Sequence, residues 1–392
     1  ALSRILAAAS PVSQSEQLPV SDALGRVLAE EVASGINVPG YDNSAMDGYA
    51  VNTADCVEPG VSLEVSQRIP AGQSAKALEP GTAARIFTGA PVPAGADAVV
   101  MQERCRQQGD SVIIDTAVAE GENIRRAGED IGQGSVVLEA GTRIRPQEQG
   151  LLASIGRAEV SVRRKLKVAT FFTGDELVEP GRELAPGQIY NSNRYTLNGL
   201  LESAGCDIDD YGIVPDSLDA TLDVLKRSAE GADLVITSGG VSVGEEDYVR
   251  IALEKLGELN MWRLNMKPGK PVAFGKVDNA LFVGLPGNPV SVFVTFMILA
   301  RPLIVKMQGA STCLSEPLSI RSGFDWKGVK RQEFLRVRIR HGEAGPRAEL
   351  FPNQGSGVLS SVSWADGLVV VEPEKTINTG DILKYIPFQE LY

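Results

Sequence analysis

Asp-Leu-Val-Ile-Thr-Ser-Gly-Gly-Val-Ser-Val-Gly-Glu-Glu-Asp-Tyr, residues 233–248, runs from an apolar strand through a loop of small residues to an acidic helix start. Glycine lacks a Cβ and takes positive φ at little cost, so Ser238, Gly239 and Gly240 can bring backbone N–H groups close to a bound oxyanion. A helix beginning near Glu245 would turn the positive end of its dipole toward the same point. Asp247 could then face a phosphate through a divalent cation, because two anions need a positive charge between them. The competing reading is a tight strand-to-helix turn with no ligand. The flanking segments decide between them.

Outward from this stretch, the chain alternates as a parallel α/β unit does. The sequence predicts a strand over Leu166 to Phe172 leading into Thr173-Gly174-Asp175-Glu176-Leu177, a helix from about Arg194 to Ser203, a strand over Ile208 to Val214 and a helix from Leu218 to Ala229. Beyond residue 248 it predicts a helix over Tyr248 to Leu256, short strands near Trp262 and Val272, and a strand over Ala280 to Leu285. Sheets of this kind bind ligands at the carboxyl ends of their strands. Thr173 to Glu176, Asp216, Ser238 to Gly240 and Pro286-Gly287-Asn288-Pro289 all fall at that edge, which chance polarity in loops would not produce. Met266-Lys267-Pro268-Gly269-Lys270-Pro271 is a proline-stiffened loop that holds Lys267 and Lys270 close together. An anion between them would relieve their repulsion, although two exposed lysines on a hairpin also fit.

The expected architecture is a multidomain α/β plus β protein built around a central three-layer α/β domain, residues 166–313. Helical periodicity at Leu2, Ile5 and Leu6, at Leu24, Val27 and Leu28, and again at Leu151, Leu152 and Ile155 predicts a discontinuous helical scaffold from 1–35 and 139–165. The β-rich segment 36–138, with runs at Ala98 to Met101 and Val112 to Ile114, is then an inserted domain. Alternation over Phe334 to Ile339, Leu368 to Val371 and Ile382 to Ile386 makes 314–392 a small C-terminal β-barrel or sandwich. Three segments of the insertion are too polar for core. Asn43 to Ala50 leaves Asp47 free among small residues, Thr88-Gly89-Ala90-Pro91-Val92-Pro93 presents a hydroxyl on a stiff turn, and Asn123 to Asp130 packs two guanidinium and two carboxylate groups into eight residues. The last also reads as a solvated charge run.

Composition narrows the chemistry. Fifty acidic against 38 basic side chains give a net charge of −12, which argues against a nucleic-acid surface. Residues 287–307 come closest to a membrane span, but Asn288, Pro289, Arg301, Pro302 and Lys306 interrupt or flank an apolar core too short to cross, so a buried helix and no membrane association are expected. No basic-then-apolar leader opens the sequence. Cys56, Cys105, Cys206 and Cys313 are widely spaced, as reduced thiols of a cytoplasmic protein are. The single histidine, His341, sits in a polar turn, so a histidine triad or multi-histidine metal centre would have to be built on a surface loop, and a solvated turn residue is expected. The remaining inventory suits a hard, oxygen-bound cation and transfer at an oxyanion.

The ordered set Asn43 to Ala50, Thr88 to Pro93, Asn123 to Asp130, Thr173 to Leu177, Ser238 to Tyr248, Lys267 to Pro271 and Pro286 to Pro289 resembles the molybdopterin molybdenumtransferase family, bacterial relatives of the C-terminal part of gephyrin. The resemblance covers essentially the whole chain. It implies four domains and Mg2+-assisted insertion of molybdate into adenylylated molybdopterin with release of AMP. It also implies a homodimer whose site lies between the α/β domain of one subunit and the insertion of the other, with transient contact to the preceding adenylyltransferase. By the same resemblance Asp47, Thr88, Arg125 and Asp130 belong to the insertion side, and Glu176, Asp216 and Asp247 are the acidic residues of the α/β side, Glu176 and Asp247 holding metal. Ser238, Gly239, Gly240, Asn193 and Pro286, Gly287, Asn288, Pro289 take the pterin phosphate or nucleotide, while Lys267 and Lys270, with Ser291, Arg331 and Ser356, face molybdate. The sequence departs from the closest bacterial relatives at Arg263, where a lysine is expected; the charge is kept. Two other readings stand beside this one: the adenylyltransferase itself, which shares the Ser-Gly-Gly loop without insertion or barrel, and a peptide-binding scaffold of the gephyrin kind.

Overall fold

An apolar, partly β-branched run such as Leu234-Val235-Ile236-Thr237 suits an interior strand covered on both faces. In the computed structural model, which describes residues 1–240, 248–314, 316–343 and 345–388, it forms the fully buried strand Leu234–Ser238. This strand lies between the parallel strands Lys167–Thr173 and Ala280–Leu285. Asp207–Val214 adds on one side, and Pro271–Val277 and Gly257–Arg263 return antiparallel on the other, making six strands. Alternating side chains divide between two cores. Val168, Leu234, Ile236 and Val283 pack with the helix Ser192–Ser203 and the long helix from Pro289; Ala169, Phe171, Val235 and Phe282 pack with Leu218–Gly231 and Tyr248–Leu256. The expected three-layer unit is present, with strand and helix limits within a few residues of those predicted.

Pro289–Met307 is a continuous 19-residue helix containing an 18-residue window of mean hydropathy 1.8, with a π-helical stretch over Phe296–Ala300. Contrary to the sequence expectation, it is long and apolar enough to cross a bilayer. Its apolar side chains instead form the centre of the largest core.

The first residue of the opening stretch anchors its strand. Asp233 accepts from both Arg164 guanidinium nitrogens at 2.7 Å and from the Lys167 amide at 2.9 Å. Burial alone would raise this carboxyl, but the Arg164 hydrogen bonds and the Lys167 amide outweigh it and hold the group below its ordinary value. A depressed carboxyl contributes stability that is present above its unfolded value and lost as pH falls through the folded one. Asp233→Asn is therefore expected to lower stability at neutral pH and to flatten the acid limb of a urea-midpoint profile between neutral pH and the carboxylate range.

The insertion folds as a six-stranded sheet ordered Ala98–Met101, Gly48–Val51, Thr82–Ile86, Val61–Ile69, Ser111–Ile114, Cys105–Gln108. The scaffold is less helical than its periodicity suggests. Leu2–Ala8 and Pro146–Ser154 are helices, but Ser15–Pro19 pairs with Glu159–Arg163 as an antiparallel ladder. Leu24 to Leu28 is a turn: Gly25 has φ +76°, and Val27 and Leu28 make single bridges to Arg143 and Val162. Burial at Val27 and Leu28 mimicked a helical face. The C-terminal strands Gln332–Gly342, Gly345–Leu350, Leu318–Ser322, Ile382–Pro387 and Gly367–Val371 close into a five-stranded barrel. The four cysteines are free thiols; burial pushes Cys206 up to about 12.

Candidate active site

Parallel register sets Phe172, Ser238 and Leu285 level with one another, so the loops that follow them open at one edge. There a cleft of about 780 Å³ is lined by Glu176, Asn193, Ser238, Gly239, Lys267, Lys270, Pro286 to Pro289, Ser291, Arg331 and Ser356. All of these were read from sequence. Gly240 adjoins it without lining it, and Asp247 lies outside the described residues. Asp216 is not in its wall; its amide instead donates to Asp175 Oδ1 at 3.3 Å.

The Ser-Gly-Gly loop has the conformation that its sequence demands. Gly239 and Gly240 have φ of +95° and +60°. A Cβ on Gly240 would come within 2.6 Å of Val249 on the following helix, so the second glycine serves close packing as well as backbone freedom. The Gly239 N–H donates to the Leu285 carbonyl at 3.2 Å, which corrects the picture of a free amide at that position. Asn193 supplies polar contact instead: its amide donates to Ser238 Oγ at 2.9 Å and to the Gly287 carbonyl at 2.7 Å, tying the two glycine loops to the helix Ser192–Ser203. Asn191 caps that helix through the Arg194 amide and leaves a buried Nδ2 without a partner at the cleft wall.

The lysine loop joins two domains. Met266–Lys267 pairs in parallel with Gln332–Glu333 of the barrel. Lys267 Nζ contacts Glu333 Oε1 at 3.0 Å, and Glu333 is buried beneath it with Trp326 Nε1 at 2.9 Å and the Val329 amide at 3.2 Å on its other oxygen. The expected lysine pair is therefore not equivalent. Lys267 already has a counter-charge, whereas Lys270 is exposed with no side-chain partner among the described residues and is the freer cation. Arg331 adds a third, its guanidinium weakly engaged by the Met266 carbonyl at 3.4 Å. Behind the barrel wall, fully buried Arg336 donates to the Gly355 carbonyl at 3.1 Å and to Ser361 Oγ at 3.0 Å, and burial pushes its guanidinium down to about 10. It fixes the loop carrying Ser356, whose carbonyl accepts from the Val290 amide at 3.0 Å. Sequence reading missed Glu333 and Arg336 because each acts on a residue distant in the chain. Thr173, read from sequence as part of the strand-edge motif, lines the cleft too, and Tyr190 and Asn191 line it unannounced.

The insertion residues form a separate group. Asp47 Oδ1 accepts from the Thr88 amide and hydroxyl, both at 2.8 Å. The Thr88 amide, then its hydroxyl, holds the Asp47 carboxyl below its ordinary value. Of the charge run, Arg126 pairs with Asp42 at 2.7 Å and Glu129 accepts from the Arg126 amide. Arg125 and Asp130 are exposed and have no side-chain partner among the described residues. None of Asp47, Thr88, Arg125 or Asp130 lines the cleft of its own chain.

Among the described residues no three His, Cys, Asp or Glu side chains gather as a metal cage. Among the described residues Glu176 is the one carboxylate of the cleft wall, exposed and lying over Gly174, where an added Cβ would come within 2.6 Å of Glu176 Oε2. Magnesium typically takes one or two carboxylates and completes its shell with water and substrate phosphate, so this donor set fits a magnesium that arrives with a phosphorylated substrate.

Comparison with known proteins accords with this layout. Residues 1–156 match the MoeA N-terminal region (domain I and II), residues 169–306 a probable molybdopterin binding domain, and residues 319–388 the MoeA C-terminal region (domain IV). A molybdopterin molybdenumtransferase of Haemophilus influenzae is 43% identical over 97% of this chain and 95% of its own. One from a Nostoc species is 44% identical over 73% of this chain and 67% of its own. The crystal structure of a molybdopterin biosynthesis moeA protein from Pyrococcus horikoshii OT3 superposes with a TM-score of 0.86 at 30% identity, covering 99% of this chain and 98% of that one. A cleft at the carboxyl edge of the sheet, walled by a barrel and accompanied by an insertion bearing its own polar group, thus occurs in a chain that belongs to the molybdopterin molybdenumtransferase family.

Proposed function

We propose that the cleft inserts molybdate into adenylylated molybdopterin with release of AMP, and that the insertion of a second subunit completes it. The chain is a transferase of molybdenum cofactor biosynthesis; the cation-rich wall of Lys270, Lys267 and Arg331 facing the Ser238–Gly240 and Pro286–Pro289 loops is the observation that carries the finer reading. Lys270 and Arg331 gather the oxyanion by charge-assisted hydrogen bonds, and Lys267, held by Glu333, donates from a fixed position. Asn193 and Ser238 orient the phosphate end of the pterin nucleotide, and the exposed Tyr190 ring offers an apolar wall to its planar part. Glu176, with Asp247, would hold a magnesium ion that neutralises charge on the phosphoanhydride. Protein residues thus position two anions against each other, and no covalent protein intermediate is required. A cytoplasmic location and brief contact with the adenylyltransferase that makes the substrate complete the proposal.

Purified protein given adenylylated pterin, magnesium and molybdate is expected to release AMP. Pterin-dependent consumption of ATP instead would favour the adenylyltransferase, and peptide capture that survives loss of the cleft residues, without AMP release, would favour the scaffold. The shared site has its own readout. At a molybdate concentration that just saturates the wild type, Asp47→Ala and Lys270→Ala proteins should each release little AMP alone, whereas subunit exchange between them should restore about one quarter of wild-type AMP release, because half the dimers then hold one intact site of two. No recovery after demonstrated exchange would place Asp47 and Lys270 in the same chain's site.

A further inference from the structure

A second cavity, of about 710 Å³, lies where the scaffold loop 141–145, the end of the helix Ser192–Ser203 and the helix Arg301–Met307 meet residues 310–314 and Glu316. Arg143, Arg145 and Arg301 line it, with the hydroxyls of Thr142 and Thr312; Glu316 is its only carboxylate among the described residues. Arg145 is already paired with Glu148 at 2.7 Å. Arg143 is not so matched. It donates to the Gly25 carbonyl at 2.7 Å and to Gln308 Oε1 at 2.5 Å, both neutral, and makes no ion pair among the described residues. Burial pushes its guanidinium down, and the like charge of Arg301 pushes it further.

Arg143 links the scaffold to the last helix of the α/β domain, for Gln308 in turn donates to the Ala204 carbonyl at 2.7 Å. That linkage needs donors, which a neutral side chain would supply without the desolvation cost of a charge. A guanidinium desolvated beside another guanidinium, at the wall of an open cavity, is stabilised when an anion enters. We propose that this cavity binds a small multiply charged oxyanion of the phosphate-ester or pyrophosphate class, held between Arg143 and Arg301. This site is separate from the molybdate cleft, with which it shares no lining residue.

Because the cleft itself attracts oxyanions, the test starts from the full chain carrying Lys270→Ala and Arg331→Ala. Inorganic pyrophosphate is titrated calorimetrically at constant ionic strength. Expected is saturable binding at one site per chain, weakened about tenfold by Arg301→Gln, as loss of a charge-assisted contact implies, and largely kept by Arg301→Lys. Circular dichroism and urea midpoints establish that each variant is folded. Absence of saturable binding in the starting variant, or equal affinity in folded Arg301→Gln, overturns the proposal. So does hydrogen-exchange protection of 141–145 and 301–305 that rises with protein concentration and ignores pyrophosphate, for a second copy would then cover the cavity.

Discussion

Replacing Lys270 and Arg331 together by alanine is expected to raise the molybdate concentration that gives half-maximal AMP release roughly a hundredfold or more, since each charge-assisted hydrogen bond contributes about 1.5–3 kcal/mol. The urea midpoint should hardly move, because Lys270 is exposed without a side-chain partner and Arg331 makes only a long contact to the Met266 carbonyl. Lys267→Ala should behave differently. It strips the counter-charge from buried Glu333, so stability should fall along with molybdate affinity. Equal stability losses in Lys267→Ala and Lys270→Ala would contradict the unequal pairing of the two lysines. An unchanged molybdate requirement in the double variant would remove the cation wall from the mechanism.

Gly269→Ala is the second large effect. Gly269 has φ +98°, and a Cβ there would lie 2.4 Å from Thr295 Cγ2 in the buried helix. Positive φ and the clash each disfavour the native loop, for a combined loss of roughly 2 kcal/mol or more in unfolding free energy. Molybdate-dependent activity should fall with it, since the loop carries both lysines. Thr295 Oγ1 donates to the Ser291 carbonyl at 2.6 Å, so Thr295→Ser removes the clashing methyl and keeps that bond. Gly269→Ala combined with Thr295→Ser should recover the clash but not the backbone strain, giving a favourable coupling of about 1 kcal/mol in a double-mutant cycle. Strict additivity would show that the methyl contact is not the cause.

What could be read from sequence was local. Leu234 to Ser238 declared its strand through β-branched and apolar residues, and Ala98 to Met101 and Ala280 to Leu285 matched the observed strands residue for residue. The carboxyl-edge rule then placed most of the cleft, because parallel strands deliver their loops to one side whatever the loops contain. Errors arose where burial has more than one geometric cause. Val27 and Leu28 are spaced like a helical face, yet Gly25 turns the chain and each residue is buried by a bridge to a partner over a hundred residues away. Long-range pairs were out of reach for the same reason. Nothing near Lys267 in sequence announces Glu333, and nothing near Gly355 announces that the carbonyl is held by a buried arginine. The insertion residues Asp47 and Arg125 were legible as polar and exposed, but their distance from the cleft of their own chain is a property of the fold.

Glu333 has a further consequence for the order of events as the chain is made. Lys267 emerges with the α/β unit, while its buried counter-charge arrives later, on a barrel strand that must bond Met266–Lys267 at its edge. Until the barrel has closed, the cleft carries an extra unneutralised cation and lacks Arg331 and the Ser356 loop. Docking of the last domain is thus an arming step. The barrel also closes the core of the sheet, since Phe334, Val362, Leu368 and Phe388 pack in one cluster with Leu234, Val283 and Phe293, so limited proteolysis of the barrel is expected to lower thermal stability and molybdate-dependent turnover together.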